Sequence, residues 1–445
     1  MTHLEVNKVK SLSGAVAVPG DKSISHRAVM LSAIAEGETL ITNFLNGDDP
    51  RATIDCLKEM GVKIEIDGIT GNVKVFGAGL EGLKPPKKML YVGNSGTTIR
   101  ILSGILAGQA FESTVDGDAS IRHRPMGRIV EPLRQMGALI RGEKNGLFAP
   151  LTFAGTLPIP EKKLKAINYV LPVASAQIKS CLLMAGLYAE GKTVLSEPSL
   201  SRDHTERMLK HFKVEVVTGP KGEISLNSGQ RLIASGEINV PADISSAAFW
   251  LVAGAIVPEA KVILKNVGVN PTRTGIIEAL HRMGADLIVS DEQIISHEPR
   301  ATLTISSQKK TAGKLMPIEI AGNLIPRLID EIPVLAVLAT QIPGKTIIKD
   351  AKELRVKESD RVAVLAEELG KMGANITERP DGLEIIGPTK LIGTTVNSHG
   401  DHRIAMSLAI AGLVAEGKTL IEDTACIETS YPGFKKTLDG LSAAL

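Results

Sequence analysis

A polar cluster, an apolar helix of small residues, a glycine pause and a β-branched run follow one another six times along this chain. The first copy is VPGDKSISHRAVMLSAIAEGETLITN, from Val18 to Asn43. The others are GNSGTTIRILSGILAGQAFESTVDG from Gly93, SAQIKSCLLMAGLYAEGKTVLSE from Ser175, ADISSAAFWLVAGAIVPEAKVILKN from Ala242, IDEIPVLAVLATQIPGKTIIKDA from Ile329 and GDHRIAMSLAIAGLVAEGKTLIEDT from Gly400. Copies begin about 70 to 90 residues apart, which is a repeat architecture with a period longer than that of common solenoids.

Each copy has a second half. Amphipathic helical stretches such as DPRATIDCLKEMGV, RPMGRIVEPLRQMGA, RTGIIEALHRMGA and SDRVAVLAEELGKMGA each run to a glycine placed to stop a helix. Short β-branched segments, VKIEI, GNVKVF, ADLIV and ATLTIS among them, read as closing strands. The repeating element is therefore β-α-β-α-β-β. Its first helix is apolar almost all round and predicted to be buried, whereas the second keeps one wet face.

At 445 residues the chain exceeds what one core organises, and three units per domain fits its length. VAVPGDKS and INVPADIS resemble each other, and each leads from a strand into the first unit of a set of three. These are the expected crossings, with a hinge near residues 20 and 240. One lobe spans residues 21–240; the other spans residues 1–20 plus 241–445, with residues 1–20 supplying strands that the sixth unit lacks. Two adjacent crossings predict a cleft that closes over a ligand.

The polar cluster opening each repeat lies at a helix N-terminus, where unpaired N–H groups and a positive dipole attract anions. Lys22, Arg27, Arg100, Arg122, Arg124, Arg128, Lys179, Arg202, Lys357, Arg361 and Arg403 all fall at or just after the starts of repeat halves. Such placement predicts a polyanionic small-molecule ligand. Asp330, Glu331, Glu358, Asp360 and Asp401 interrupt the basic set, and a site that only bound anions would exclude them. Asp330 and Glu358 are the candidates for moving protons.

Other chemistries find little support. With a net charge of +2 and aromatic residues at 3% of the chain, platforms for stacking bases are few, and nucleic-acid binding is not expected. The longest apolar runs are about half a bilayer span, and the N-terminus resembles no targeting segment, so the expectation is a soluble cytoplasmic monomer. Cys56, Cys181 and Cys426 are far apart and lack metal spacing. No metal site is predicted, and His26, His123, His204, His399 and His402 read as structural. GAGLEG at Gly77–Gly82 matches the dinucleotide fingerprint formally, but the prolines of LKPPKK forbid the helix that must follow.

PGDKSISHR, GNSGTTIR, DGDASIRHRPMGR, SAQIKS, NPTRTG, LRVKESDR and GDHRIAMS, in that order, resemble the signatures of the 5-enolpyruvylshikimate-3-phosphate synthases over essentially the whole chain. The resemblance implies two lobes of three β-α-β-α-β-β units, an inside-out α/β barrel. It implies carboxyvinyl transfer from phosphoenolpyruvate to the 5-hydroxyl of shikimate 3-phosphate by addition and elimination, without a cofactor. By the same resemblance Lys22 contacts both substrates. Ser23, Arg27, Ser175, Ala176, Gln177 and Arg202 hold shikimate 3-phosphate, and Asn94, Gly96, Arg124 and Gln177 line the phosphoenolpyruvate site. Asp330 is the base for the 5-hydroxyl, Lys357 a shared contact and Glu358 the proton relay to C3, while Arg361 and Arg403 clamp phosphoenolpyruvate.

The chain also departs from that pattern. Thr429 stands before Ser430-Tyr431-Pro432 where many members have a lysine, which leaves the phosphoenolpyruvate clamp one cation short or shifts its work to Arg202 and neighbours. SRDHTE and LIDEIP lean toward the divergent bacterial class in which glyphosate tolerance occurs, yet Gly96 is the small residue of sensitive members. Two rival readings are weaker. The sister enzyme acting on UDP-N-acetylglucosamine usually carries a loop cysteine and an asparagine after the first lysine, whereas DGDASIRHRPM has no cysteine and Ser23 follows Lys22. A non-catalytic anion-binding scaffold has no reason to place Asp330 and Glu358 among cations.

Overall fold

The polar residue that opens a repeat caps its first helix. In the computed structural model, which describes residues 3–155, 163–307 and 315–442, Asp21 accepts the Ile24 N–H at 2.9 Å and Ser95 the Thr98 N–H at 3.1 Å. Ser175, Asp243 and Asp401 do the same for the third, fourth and sixth repeats. The fifth has no side-chain cap at Glu331; Pro333 in its first turn lacks an N–H that would otherwise need a partner. The six first helices are Lys22–Ala33, Gly96–Ala107, Ala176–Gly186, Ile244–Ile256, Ile332–Thr340 and His402–Gly412. Each is buried along nearly its whole length, as sequences apolar on every face require.

Small residues let these helices approach closely. A Cβ on Gly104 would sit 2.1 Å from the Cys181 carbonyl oxygen, so the second and third buried helices meet backbone to backbone there. The second-half helices end as expected. Gly61 follows the Asp48–Glu59 helix at φ +84°, a conformation open to glycine without a Cβ penalty, and Gly137, Gly284 and Gly373 repeat the arrangement. In the third unit Lys213 takes the corresponding position at φ +66°.

The sheets repeat one strand order. In the second unit Leu90–Tyr91 pairs parallel with Ser113–Asp116, which pairs antiparallel with Phe148–Phe153, itself antiparallel to Ile140–Gly142. The third and fifth units follow the same plan. The first and fourth take their leading strand from elsewhere in the chain: Gly236–Asn239 pairs parallel with Glu36–Thr42, and Ser13–Val16 with Lys261–Gly268. In the sixth, Lys418–Glu422 lies between Thr395–Asn397 and the N-terminal strand His3–Asn7, in register His3 to Glu422. After GAGLEG the chain runs as turn and coil to Leu90, without a helix.

Two compact units result. One comprises residues Met1–Pro19, Pro241–Ile294 and Pro299–Leu445, and the other Gly20–Val240 with Ile295–Glu298. Each has its own continuous apolar core. The four residues Ile295–Glu298 join the second unit through specific bonds: Glu298 Oε1 lies 2.8 Å from His204 Nδ1, and Ser296 Oγ accepts the Asn239 N–H.

A chain of buried hydroxyls ties the first two capped helices together. His26 Nδ1 lies 2.7 Å from Thr53 Oγ1, Thr53 Oγ1 is 2.7 Å from Thr98 Oγ1, and Thr98 Oγ1 donates to the capping Ser95 Oγ. Burial holds the His26 pKa well below the usual histidine range, and Lys22 and Arg27 add to the effect. Folded His26 therefore stays neutral while the unfolded chain takes up a proton below about pH 6.5, so stability falls as pH drops through that value. This one group contributes a slope of about 1.4 kcal/mol per pH unit until the folded pKa is reached. His26→Asn, which preserves a polar atom toward Thr53, should flatten urea-unfolding stability between pH 6.5 and 5.5 relative to wild type. Parallel curves for the two proteins would refute this.

Candidate active site

The Gly20–Val240 unit carries two charged groups at its helix starts. In the first, Arg27 is buried and bonded on three nitrogens: Nε donates to Thr205 Oγ1 at 2.8 Å, Nη1 to the Ser23 carbonyl at 2.9 Å and Nη2 to Ser180 Oγ at 2.8 Å. Arg202 Nη1 reaches Ser23 Oγ at 3.4 Å, and Lys22 Nζ pairs with Asp49 Oδ2 at 3.0 Å. The fold thus brings Lys22, Ser23, Arg27 and Arg202 together, although Arg202 lies 179 residues from Ser23.

In the second group Arg100 Nη1 donates to Gln177 Oε1 at 2.6 Å, and Gln177 Nε2 to Thr97 Oγ1 at 3.1 Å. Arg124 Nη1 approaches the Asn94 carbonyl at 3.4 Å. Gly96 lies directly under that guanidinium; a Cβ there would stand 2.7 Å from Arg124 Nη1 and 3.5 Å from Arg100 Nη1. Ser175 Oγ is occupied by its cap bond, and Ala176 begins the helix that presents Gln177.

The other unit assembles the acidic candidates. Arg361, 1% exposed, is shared among three carboxylates: Nε to Asp401 Oδ2 at 2.7 Å, Nη2 to Glu358 Oε2 at 2.7 Å and Nη1 to Asp330 Oδ1 at 3.2 Å. Burial opposes the charge on Arg361, but Asp401, Glu358 and Asp330 outweigh it and hold the pKa above its ordinary value. Lys357 Nζ at 3.5 Å and Arg403 Nε at 3.8 Å also face Asp330 Oδ1. Asp330, Lys357, Glu358, Arg361 and Arg403 thus form one cluster. Behind it Glu331 is anchored by Ser245 Oγ, which is itself bonded by Arg273 Nη2 at 2.7 Å.

Sequence reasoning omitted several participants from its site. Arg100, counted among the cations at repeat starts but not assigned to either substrate, lies one helical turn after Gly96 and so on the same face. Asp49, Ser180 and Thr205 carry no local signal that separates them from ordinary caps and helix residues. Lys179, counted with the anion-binding cations, is instead fully buried and paired with Glu197 and Glu206. Thr429 turns its hydroxyl back to the Cys426 carbonyl at 2.7 Å and adds no cation.

Thiol and metal chemistry have weak footing here. Burial raises all three thiols, Cys56 and Cys426 to about 12, far from thiolate at neutral pH. Among the described residues Glu367, Glu368 and His399 have metal-ligand spacing. Lys371 Nζ, however, lies 2.9 Å from Glu367 Oε1 and from Glu368 Oε1, so an ammonium already occupies that charge position. No helix among the described residues is long and apolar enough to cross a membrane.

A family profile described as EPSP synthase (3-phosphoshikimate 1-carboxyvinyltransferase) matches residues 6–438. The 3-phosphoshikimate 1-carboxyvinyltransferase of Bacillus thuringiensis subsp. konkukian is 55% identical over 431 residues, covering 97% of each chain. Its counterpart in Bacillus cereus strain B4264 matches at the same identity and coverage. Among solved structures, an EPSP synthase from Acinetobacter baumannii superposes with a TM-score of 0.86 at 45% identity, covering 99% of this chain and 98% of that one.

Proposed function

Because this chain belongs to the EPSP synthase family, we propose that its clustered charges divide the work of one reaction on two anionic substrates. That reaction transfers the enolpyruvyl group of phosphoenolpyruvate to the 5-hydroxyl of shikimate 3-phosphate and releases phosphate, the carboxyvinyl step of the shikimate pathway. Lys22, Ser23, Arg27, Ser175, Ala176, Gln177 and Arg202, with Asp330 and Lys357, are assigned to shikimate 3-phosphate. Lys22, Asn94, Gly96, Arg124, Gln177, Arg361 and Arg403 are assigned to phosphoenolpyruvate.

The single observation that carries this reading is Asp330 within 3.2 to 3.8 Å of Arg361, Lys357 and Arg403, with Glu358 on the same guanidinium. Three cations face the Asp330 carboxylate. Substrate phosphate and carboxylate groups that engage those cations spread their charge elsewhere, and Asp330 becomes a better acceptor for the 5-hydroxyl proton as the oxygen attacks C2. Arg361 likewise pairs with Glu358. A substrate carboxylate competing for Arg361 frees Glu358 to take a proton and deliver it to C3. The tetrahedral adduct then expels phosphate while C3 returns a proton, so that the net transfer carries the hydroxyl proton to the released phosphate. Fixed cations stabilise the charge at each stage.

The direct test is phosphate release from phosphoenolpyruvate in chelator-treated buffer. Release that requires shikimate 3-phosphate supports the assignment, and release without it contradicts it.

SRDHTE, LIDEIP and Arg202 support placement in the divergent class associated with glyphosate tolerance, while Gly96 favours measurable inhibition in this member. Gly96→Ala pushes its methyl at the flexible end of Arg124. It should raise KM for phosphoenolpyruvate by about threefold to tenfold, leave KM for shikimate 3-phosphate within about twofold, and weaken glyphosate inhibition more than either. Equal glyphosate inhibition of the two proteins would count against this. The reading also takes the enzyme to be a cytoplasmic monomer, which sedimentation at working concentration checks for assembly.

A further inference from the structure

Lys179 belongs to the helix whose first turn carries Gln177, yet its side chain is 0% exposed and touches no proposed ligand position. Its ammonium instead gathers one loop. Nζ lies 3.0 Å from Glu197 Oε1, 2.8 Å from Glu206 Oε1 and 3.3 Å from the Ser201 carbonyl oxygen. Glu197 holds Ser201 in turn: Oε1 accepts the Ser201 N–H at 2.9 Å, and Oε2 accepts its hydroxyl at 2.5 Å. The segment from Glu197 to Glu206 is therefore pinned at both ends and at its middle. Arg202 is the residue that follows the middle pin, and Thr205, just before the last pin, receives Arg27 Nε.

We infer that Lys179 is a positioning residue that sets affinity for shikimate 3-phosphate by fixing the segment from Glu197 into the first turn of the His204–His211 helix and, through it, the Arg202 guanidinium. The inference rests on the assignment of Arg202 to that substrate. Burial alone would neutralise the ammonium, but Glu206 and Glu197 outweigh it and keep Lys179 charged. Burial also pushes the Glu206 carboxyl up, with Lys179 the main opposing influence. Cation and carboxylates thus maintain each other, and a free surface lysine could not replace this one. Without the ammonium, Glu197 loses the partner that orients it toward Ser201, and the loop is released at its middle and far end.

Single removal of Lys179 leaves two buried carboxylates, so the primary variant is Lys179→Gln with Glu206→Gln, which preserves the cluster's formal balance of one negative charge. Glu197→Gln serves as a milder second variant that keeps the hydrogen-bonding shape around Ser201. Folding is checked by circular dichroism, and KM for both substrates is measured in wild-type and Arg202→Ala backgrounds.

The double variant is expected to raise KM for shikimate 3-phosphate by about tenfold with KM for phosphoenolpyruvate within about twofold, and to have a clearly smaller further effect, passing through Thr205 and Arg27, once Arg202 is alanine. Glu197→Gln should show the same split at smaller size. Equal rises for both substrates, or the same rise in both backgrounds, would overturn the positioning role while leaving the Arg202 assignment intact. No effect of Arg202→Ala by itself would overturn the assignment and the inference together.

Discussion

Asp330→Ala should lower kcat by about a thousandfold while binding of shikimate 3-phosphate, followed by calorimetry, changes by less than about tenfold. The carboxylate lies within 3.2 to 3.8 Å of Arg361, Lys357 and Arg403. Removing it takes away the proposed acceptor for the 5-hydroxyl proton but not the cations that attract substrate. Losing one carboxylate from that group also leaves the cations to repel one another, so Asp330→Asn is the control that keeps the shape and removes only the charge. Both variants should be slow if proton acceptance is the role. A kcat for folded Asp330→Asn within about tenfold of wild type would eliminate Asp330 as the base.

Arg361→Met should be the most damaging single change to folding. The guanidinium is 1% exposed and donates to Asp401 and Glu358, each at 2.7 Å, with Asp330 at 3.2 Å. Methionine fills much of the volume but abandons three crowded carboxylates, one of them fully buried. Breaking a buried ion network from one side costs about 3–5 kcal/mol.

The pH dependence has a definite sign. Without the guanidinium, mutual repulsion and burial raise the carboxylate pKa values above those of the unfolded chain, so the variant loses stability as pH rises through the raised values and regains it in acid. The stability gap between wild type and Arg361→Met should therefore narrow as pH is lowered from 8 to 5.5. A gap independent of pH would show that the cost comes from packing alone. Phosphoenolpyruvate affinity should fall in the same variant, because Arg361 is assigned to that substrate as well as to the carboxylates.

These two residues show how unevenly the site could be read in advance. Asp330, Glu358, Arg361 and Arg403 could be singled out because each sits at the start of a repeat half, where side chains gather at helix N-termini. That Arg361 serves three carboxylates at once could not be read, since its partners lie 31 and 40 residues away as well as three. Lys179 shows the opposite error. Its place in SAQIKS looked the same as that of the other cations, and only the loop folded over it, with Glu197 and Glu206, distinguishes a sequestered ammonium from an anion ligand.

The fold divides along the same line. Caps at Asp21, Ser95 and Asp401, the helix-ending glycines and the apolar faces of the first helices arise from residues within a turn or two of each other, and local sterics and hydrogen bonding determine them in any surroundings. The sequence alone therefore determined six buried first helices, five of them capped by a side chain, and their repeat plan. Tertiary structure decided that Ser13–Val16 completes the fourth unit's sheet beside Lys261–Gly268, and which charges meet. Those choices depend on backbone groups and ions hundreds of residues apart, whose partners are selected only when packing of the apolar helices has removed water from between them.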